Sequence, residues 1–233
     1  MATMYYPTQV IVEKCLQRVF SGLSLGCLSP SVQTLGYVPQ FHSNPGMFGT
    51  LPVTVPSITG VDIPILVEDD YPINGTVAII AQDPLRNPSG PLTPFNPYNN
   101  PIVGTPFAYH YNSTVYPMTN VYRHVINGLL NRGYRVYITD IWKSWDPNNM
   151  TRIGKWSNKN PHKICLDEEL DLIKPDIVVL MGNVAQSKYK IINYAAKKVV
   201  SVPHPSNASN GTWAIMGVSA NPQAKANYIL SQI

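Results

Sequence analysis

The most regular pattern in the chain begins at Gly75. Residues 76–81 (TVAIIA) form a continuous apolar run rich in β-branched residues, as expected of a strand covered on both faces. Val121, Val125 and Leu129 then recur at helical spacing within residues 119–131, and Gly133 closes that segment. The next strand is YRVYITDI (134–141). A helix over 166–173 stops before Pro175, and DIVVLMG (176–182) is a third strand leading through Asn183 into a helix over VAQSKYKIINYA (184–195). The strand KVVSVP (198–203), a loop HPSNASNGTW (204–213) and a helix from Pro222 complete the series. Strands alternating with helices predict a three-layer α/β/α arrangement around a short, mostly parallel four-stranded sheet.

Upstream the pattern is weaker. Val10, Val12, Leu16, Val19, Phe20 and Leu23 predict an N-terminal helix over 8–23. Between residues 33 and 71 proline and glycine recur every few positions, which reads as an irregular covering segment with one candidate strand, IPILV (63–67). The expected organisation is therefore one domain over 1–233. Residues 1–73 cover it, 74–213 form the core, and 214–233 carry the C-terminal helix.

A sheet of this kind binds ligands beyond the carboxyl ends of its strands. That directs attention to the loops 82–101, 140–145 and 204–213. The first is long, polar and dense in proline, which is typical of a functional loop in a compact domain.

The remaining bulk properties set limits. Lys and Arg number 17 against 13 Asp and Glu, a balance that tolerates a phosphate backbone without requiring one. Cys15, Cys27 and Cys165 form neither a disulfide framework nor a C-x-x-C pair, which fits a reducing compartment. No secretory leader or membrane-length apolar run is present in the sequence, so a cytoplasmic protein is expected.

Several short segments on these predicted loops resemble the uracil-DNA glycosylase superfamily. AQDP (81–84) and HPS (204–206) are similar to its two signature motifs, G-Q-D-P-Y-H and H-P-S in the best-known branch. Between them GTPF (104–107), VYITDIWKSW (136–145) and the run from Cys165 to Gln186 resemble, in order, segments of the iron-sulphur-type branch. Each is weak alone, since Asp-Pro and His-Pro-Ser are also ordinary turn chemistry; their common order on strand exits is what carries the likeness.

The resemblance implies a glycosylase-like hydrolase that cleaves the N-glycosidic bond of a deaminated or altered base. Asp83 would polarise the attacking water, and His204 would stabilise the negative charge that develops on the departing base. Phe107 would stack on the extruded base, Gln82, Pro84 and Leu85 would line the base site, Asp140 would read the base edge, and Ser206 and Asn207 would meet phosphate. The implied partner is DNA, single- or double-stranded with an extruded base, bound by a monomer without a membrane, a metal or another cofactor.

The chain also departs from the family pattern. Asp140 replaces the asparagine that reads uracil, and an ionised carboxylate only accepts hydrogen bonds, so uracil's O4 would face a repelling oxygen. A protonated Asp140 would still donate; an ionised one would suit a base that presents an amino group. Leu85 replaces a tyrosine that excludes thymine's methyl. Ala208 is too small to act as the duplex wedge, which leaves Trp213 as an alternative. Ser144 replaces a cluster cysteine, and with only Cys165 matching a ligand position no iron-sulphur cluster is expected. The alternative function is a catalytically weak or inactive nucleic-acid or nucleotide-binding protein of the same fold.

Overall fold

The structure, a computed structural model, describes residues 3–5, 49–50, 60–62, 64–68, 74–82, 102–104, 106, 117–145 and 156–233. Its elements run β1 (Thr3–Tyr5), β2 (Gly49–Thr50), β3 (Gly60–Asp62), β4 (Ile65–Glu68), β5 (Gly75–Ala81) and β6 (Ile102–Gly104). There follow α1 (Pro117–Asn131), β7 (Tyr134–Asp140), β8 (Ser144–Trp145), α2 (Pro161–Ile173), β9 (Ile177–Met181), α3 (Asn183–Tyr189) and β10 (Lys198–Val202). A 3-10 turn at Asn207–Ser209, α4 (Asn210–Ile215) and α5 (Pro222–Ser231) end the chain.

The main sheet has the order β1-β4-β7-β5-β9-β10. Its β7-β5-β9-β10 part is parallel throughout, which is the expected four-stranded core. β4 and then β1 extend it by antiparallel pairing at the β7 edge. The candidate strand at IPILV is β4. The predicted helix over 8–23 lies outside the described residues.

β5 is central because it can be: Val77, Ala78, Ile79 and Ile80 are each 0% exposed, so both faces of the strand need cover. Chain direction supplies that cover. The step from β5 to β7 runs one way along the sheet and the steps from β7 to β9 and on to β10 run the other, so right-handed crossovers place α1 on one face and α2 with α3 on the opposite face. α5 packs on α1. They approach closely at Gly128, where a Cβ would run into a Leu230 methyl group. Val121, Val125, Ile126 and Leu129 from α1 and Leu166 and Leu170 from α2 complete a core in which each buried aliphatic side chain contributes about 1.5–3 kcal/mol.

Three differences from the sequence reading have local causes. α2 begins at Pro161 rather than near Leu166, because Asn160 caps it by accepting from the backbone N–H groups of His162 and Lys163 and proline suits the first helical position. α3 ends at Tyr189 instead of continuing to residue 195. There the Asp167 carboxylate of α2 accepts from the backbone and side-chain nitrogens of Asn193 (2.9 and 3.0 Å) and draws the chain out of helical geometry. The segment 204–213 is partly helical, containing the 3-10 turn and the start of α4.

A second, smaller sheet was not foreseen. Its order is β2-β6-β3-β8, and it links the covering segment to the chain just beyond β7. Val61 of β3 pairs with Ser144 of β8, and Asp62 pairs with Gly104 of β6. Gly104 at the end of β6 is level with Asp62, whose N–H donates to the carbonyl of Lys143.

Candidate active site

Strand register fixes the site. Ala81 is level with Asp140, and Met181 is level with Val202. Beyond the last rungs, the N–H groups of Ile141 and Trp142 donate to the carbonyls of Ala81 and Gln82 (2.9 Å each), and Gly182 donates to Val202 O (2.9 Å). Gln82, Asp140, Gly182 and His204 thus all stand at one edge of the parallel sheet.

His204 is held on several sides. Its Nδ1 accepts from the Ser206 N–H at 3.2 Å, which leaves the ring's proton on Nε2 when the imidazole is neutral. Nε2 lies 3.3 Å from the hydroxyl of Tyr122, a buried residue of α1 that meets the imidazole edge to face. The His204 carbonyl accepts from the Trp213 indole N–H at 3.0 Å. Burial, and secondarily the positive charge of Lys225, push the His204 pKa below its ordinary value, so the neutral donor form prevails. Tyr122 is raised well above the usual phenol range by burial first and by the nearby Asp140 carboxylate second. It stays protonated.

Gly182 makes room for this histidine. Its backbone, at φ 90° and ψ 162°, occupies a region open essentially to glycine alone, and a Cβ there would lie 3.1 Å from the His204 Cβ.

Asp140 rests on a buried polar floor. Beneath it the Lys143 ammonium donates to Thr139 Oγ1 (2.5 Å), to the Asp140 carbonyl (2.6 Å) and to Glu169 Oε2 (2.7 Å). Thr139 also donates to Glu169 Oε2 (2.8 Å), and the Cys165 thiol donates to Glu169 Oε1 (3.3 Å). Lys143 and Glu169 are 1% and 0% exposed, so only this full set of partners makes their burial tolerable. His162 completes the floor: its Nδ1 accepts from the Lys143 backbone N–H at 3.0 Å. Burial first, and Lys143 second, lower its pKa to about 3.

Of the residues expected at the site, Gln82, Asp140, His204, Ser206 and Asn207 are described, and Asp83, Pro84, Leu85 and Phe107 lie outside the described residues. Asp140 is 2% exposed, whereas Asn207 is exposed. Trp213 cannot be an exposed wedge. It is 0% exposed, packed against Tyr228 and bonded to the His204 loop. Tyr122, Lys143, Glu169 and Lys225 were missed. In sequence Tyr122, Glu169 and Lys225 read as positions of amphipathic helices and Lys143 as one residue of the 140–145 loop, and only the tertiary packing sets where their polar ends point. Among the described residues no cluster of His, Cys, Asp and Glu has the makings of a metal site. None of the described helices is long and apolar enough to cross a membrane.

A model of the uracil DNA glycosylase superfamily matches residues 68–229, and the chain belongs to that superfamily. No curated protein matches it. Membership implies a glycosylase-like protein with DNA as its class of substrate.

Two outcomes follow from this geometry. Gly182→Ala should lower stability by about 1–3 kcal/mol in urea denaturation, through backbone strain and the clash with His204. His162 should make stability depend on pH with a definite sign. Its folded pKa of about 3 lies below the unfolded value of 6.5, so below pH 6.5 the unfolded chain binds a proton that the folded chain refuses. Stability is then fully present above 6.5 and falls by about 1.4 kcal/mol per pH unit as the pH drops towards 3. Between pH 7 and pH 5 the wild type should lose about 2 kcal/mol more than His162→Gln; equal losses would contradict a neutral buried His162.

Proposed function

We propose that the protein hydrolyses the N-glycosidic bond of an altered base in DNA. The observation that carries this reading is the state of His204: a neutral imidazole whose Nδ1 is occupied by the Ser206 N–H and whose Nε2–H, shared with the Tyr122 hydroxyl at 3.3 Å, would turn to a base bound at the strand-end edge. Such a group can donate to a carbonyl oxygen of a base without first losing a proton to it, which is what a departing anionic base needs.

Asp83 follows Gln82 directly at the exit of β5, and in this reading it orients and polarises water. The water oxygen forms the new bond to C1′ of the sugar as the C1′–N bond breaks. The bonding pair leaves with the base, and its charge gathers on the carbonyl oxygen facing His204. The water proton passes to Asp83 and on to solvent, and the base takes a proton from solvent after release. The products are an abasic site and a free base.

Asp140 sets the other edge of the base. A carboxylate accepts and does not donate, which favours bases that offer an amino group at the place where uracil's O4 offers only lone pairs. Phe107 would stack on the base, Pro84 and Leu85 would line its site, and the Ser206–Asn207 turn would meet phosphate. The chain would act as a monomeric single domain.

The test is base release from single- and double-stranded oligonucleotides carrying uracil, hypoxanthine, xanthine, a mismatched thymine or an amino-bearing altered pyrimidine, read by alkaline cleavage of abasic sites. Asp83→Asn and His204→Ala should each lower release by about 10²-fold or more. Asp140→Asn should raise the rate on uracil relative to the amino-bearing base. Wild type that binds DNA but releases no base from any of them would favour the alternative, a nucleic-acid-binding protein of this fold.

A further inference from the structure

Lys225 is a buried cation that the mechanism above does not use. It lies on α5, whose first turn is capped by Asn221 and opened by Pro222, and it is 1% exposed. Its ammonium donates to the Pro205 carbonyl (2.9 Å) and to Asn210 Oδ1 (2.7 Å) and stands 6.0 Å from the Trp213 ring. Among the described residues no carboxylate pairs with it. This differs from the other two lysines in the buried set, since Lys143 pairs with Glu169 and Lys163 with Asp167.

An unpaired ammonium in the interior is costly, and a Met or Leu of similar volume would avoid that cost. What the charge touches gives it a use. Trp213 binds the carbonyl of His204 and Lys225 binds the carbonyl of Pro205, so two consecutive carbonyls of the H-P-S turn are anchored from α4 and α5. The same anchoring holds Ser206 where its N–H reaches His204 Nδ1.

We propose that Lys225 is a positioning residue for His204, locking the H-P-S turn that orients the imidazole and placing a fixed positive charge on that turn. The inference rests on the proposed role of His204 as donor to the leaving base. The titratable groups facing the imidazole among the described residues are Tyr122 from α1 and Lys225 from α5, with Asp140 at the end of β7 acting on Tyr122. Gly182, which packs on the histidine from the β9 exit, carries no charge. Lys225 is thus the only one of these groups whose charge opposes protonation of His204.

Two substitutions remove the net charge by different routes. Lys225→Gln keeps a side-chain N–H donor for Pro205 but loses the charge. Asn210→Asp keeps Lys225 and neutralises it with an isosteric carboxylate at the hydrogen-bonded position, so it serves if Lys225→Gln does not fold. The His204 pKa is read by NMR on histidine-labelled full-length protein, and the pH profile of base release by single-turnover assay. Both variants should raise the His204 pKa and move the acid limb of the profile up by the same amount. Release on that acid limb should fall with KM changed less than twofold, and at pH 8 it should stay at the wild-type rate. Lys225→Arg should keep the wild-type values. An unchanged His204 pKa in either folded variant would overturn the proposal and leave Lys225 a structural anchor. If the wild type releases no base, the NMR titration still decides the charge effect, and the proposed function alone fails.

Discussion

Parallel register is the constraint on which the rest of this molecule depends. β5 and β7 pair rung for rung from Gly75 opposite Tyr134 to Ala81 opposite Asp140, and β9 and β10 do the same from Ile177 opposite Lys198 to Met181 opposite Val202. Parallel strands that end level send their following loops out of one edge. Residues far apart in sequence, Gln82, Asp140, Gly182 and His204, meet there for that reason alone. A slip of one residue in either pair would exchange the two faces of a strand, and β5, apolar on both, would tolerate it less at its partner than in itself: Thr139 would leave the polar floor and Asp140 would turn away from the edge.

Buried charge is handled in two ways, and the difference polarises the site. Under Asp140 every donor of Lys143 is used, and both oxygens of Glu169 receive hydrogen bonds. Removing either member would leave the other charged and unsatisfied, typically a loss of about 3–5 kcal/mol. That floor is rigid and carries little net field. Behind His204 the cation Lys225 meets only neutral dipoles, so its field reaches the imidazole. One side of the edge accepts hydrogen bonds and the other donates them against a positive background.

Much of this was legible in the sequence where a single physical rule dominates. The apolar run of β5 and the β-branched run of β9 declare strands covered on both faces, and the strand-exit motifs fall at the edge where Gln82, Asp140 and His204 meet. The apolar periodicity after Leu166 draws the start of α2 too late, because the turn before it is set by the Asn160 cap and carries no such period. The end of α3 was not legible, because it is set by Asp167 on another helix. The small sheet was hidden for a related reason: β2, β3, β6 and β8 are two or three residues each, too short for any period, and exist only because their partners are adjacent. Tyr122, Lys143 and Lys225 show the same limit in the site. Their polarity is visible in the sequence, whereas the direction in which each points is a property of the packed helices and strands.

The donor at His204 and the acceptor at Asp140 together restrict which discrimination the site can perform by hydrogen bonding. On the proposed reading a base must turn a carbonyl towards His204 and an amino group towards Asp140, and undamaged cytosine meets both demands. Contacts at the base edge therefore cannot by themselves protect normal DNA. Selectivity has to arise earlier, when the base leaves the stack, because unstacking and unpairing cost a few kcal/mol and cost least for a mispaired, damaged or single-stranded base. Ala208 and the fully buried Trp213 sharpen this point. With neither residue available as a wedge, the H-P-S turn has no bulky side chain at those positions to fill a vacated base site. On that reading the substrates such an edge would admit most readily are those whose target base is already loosely held.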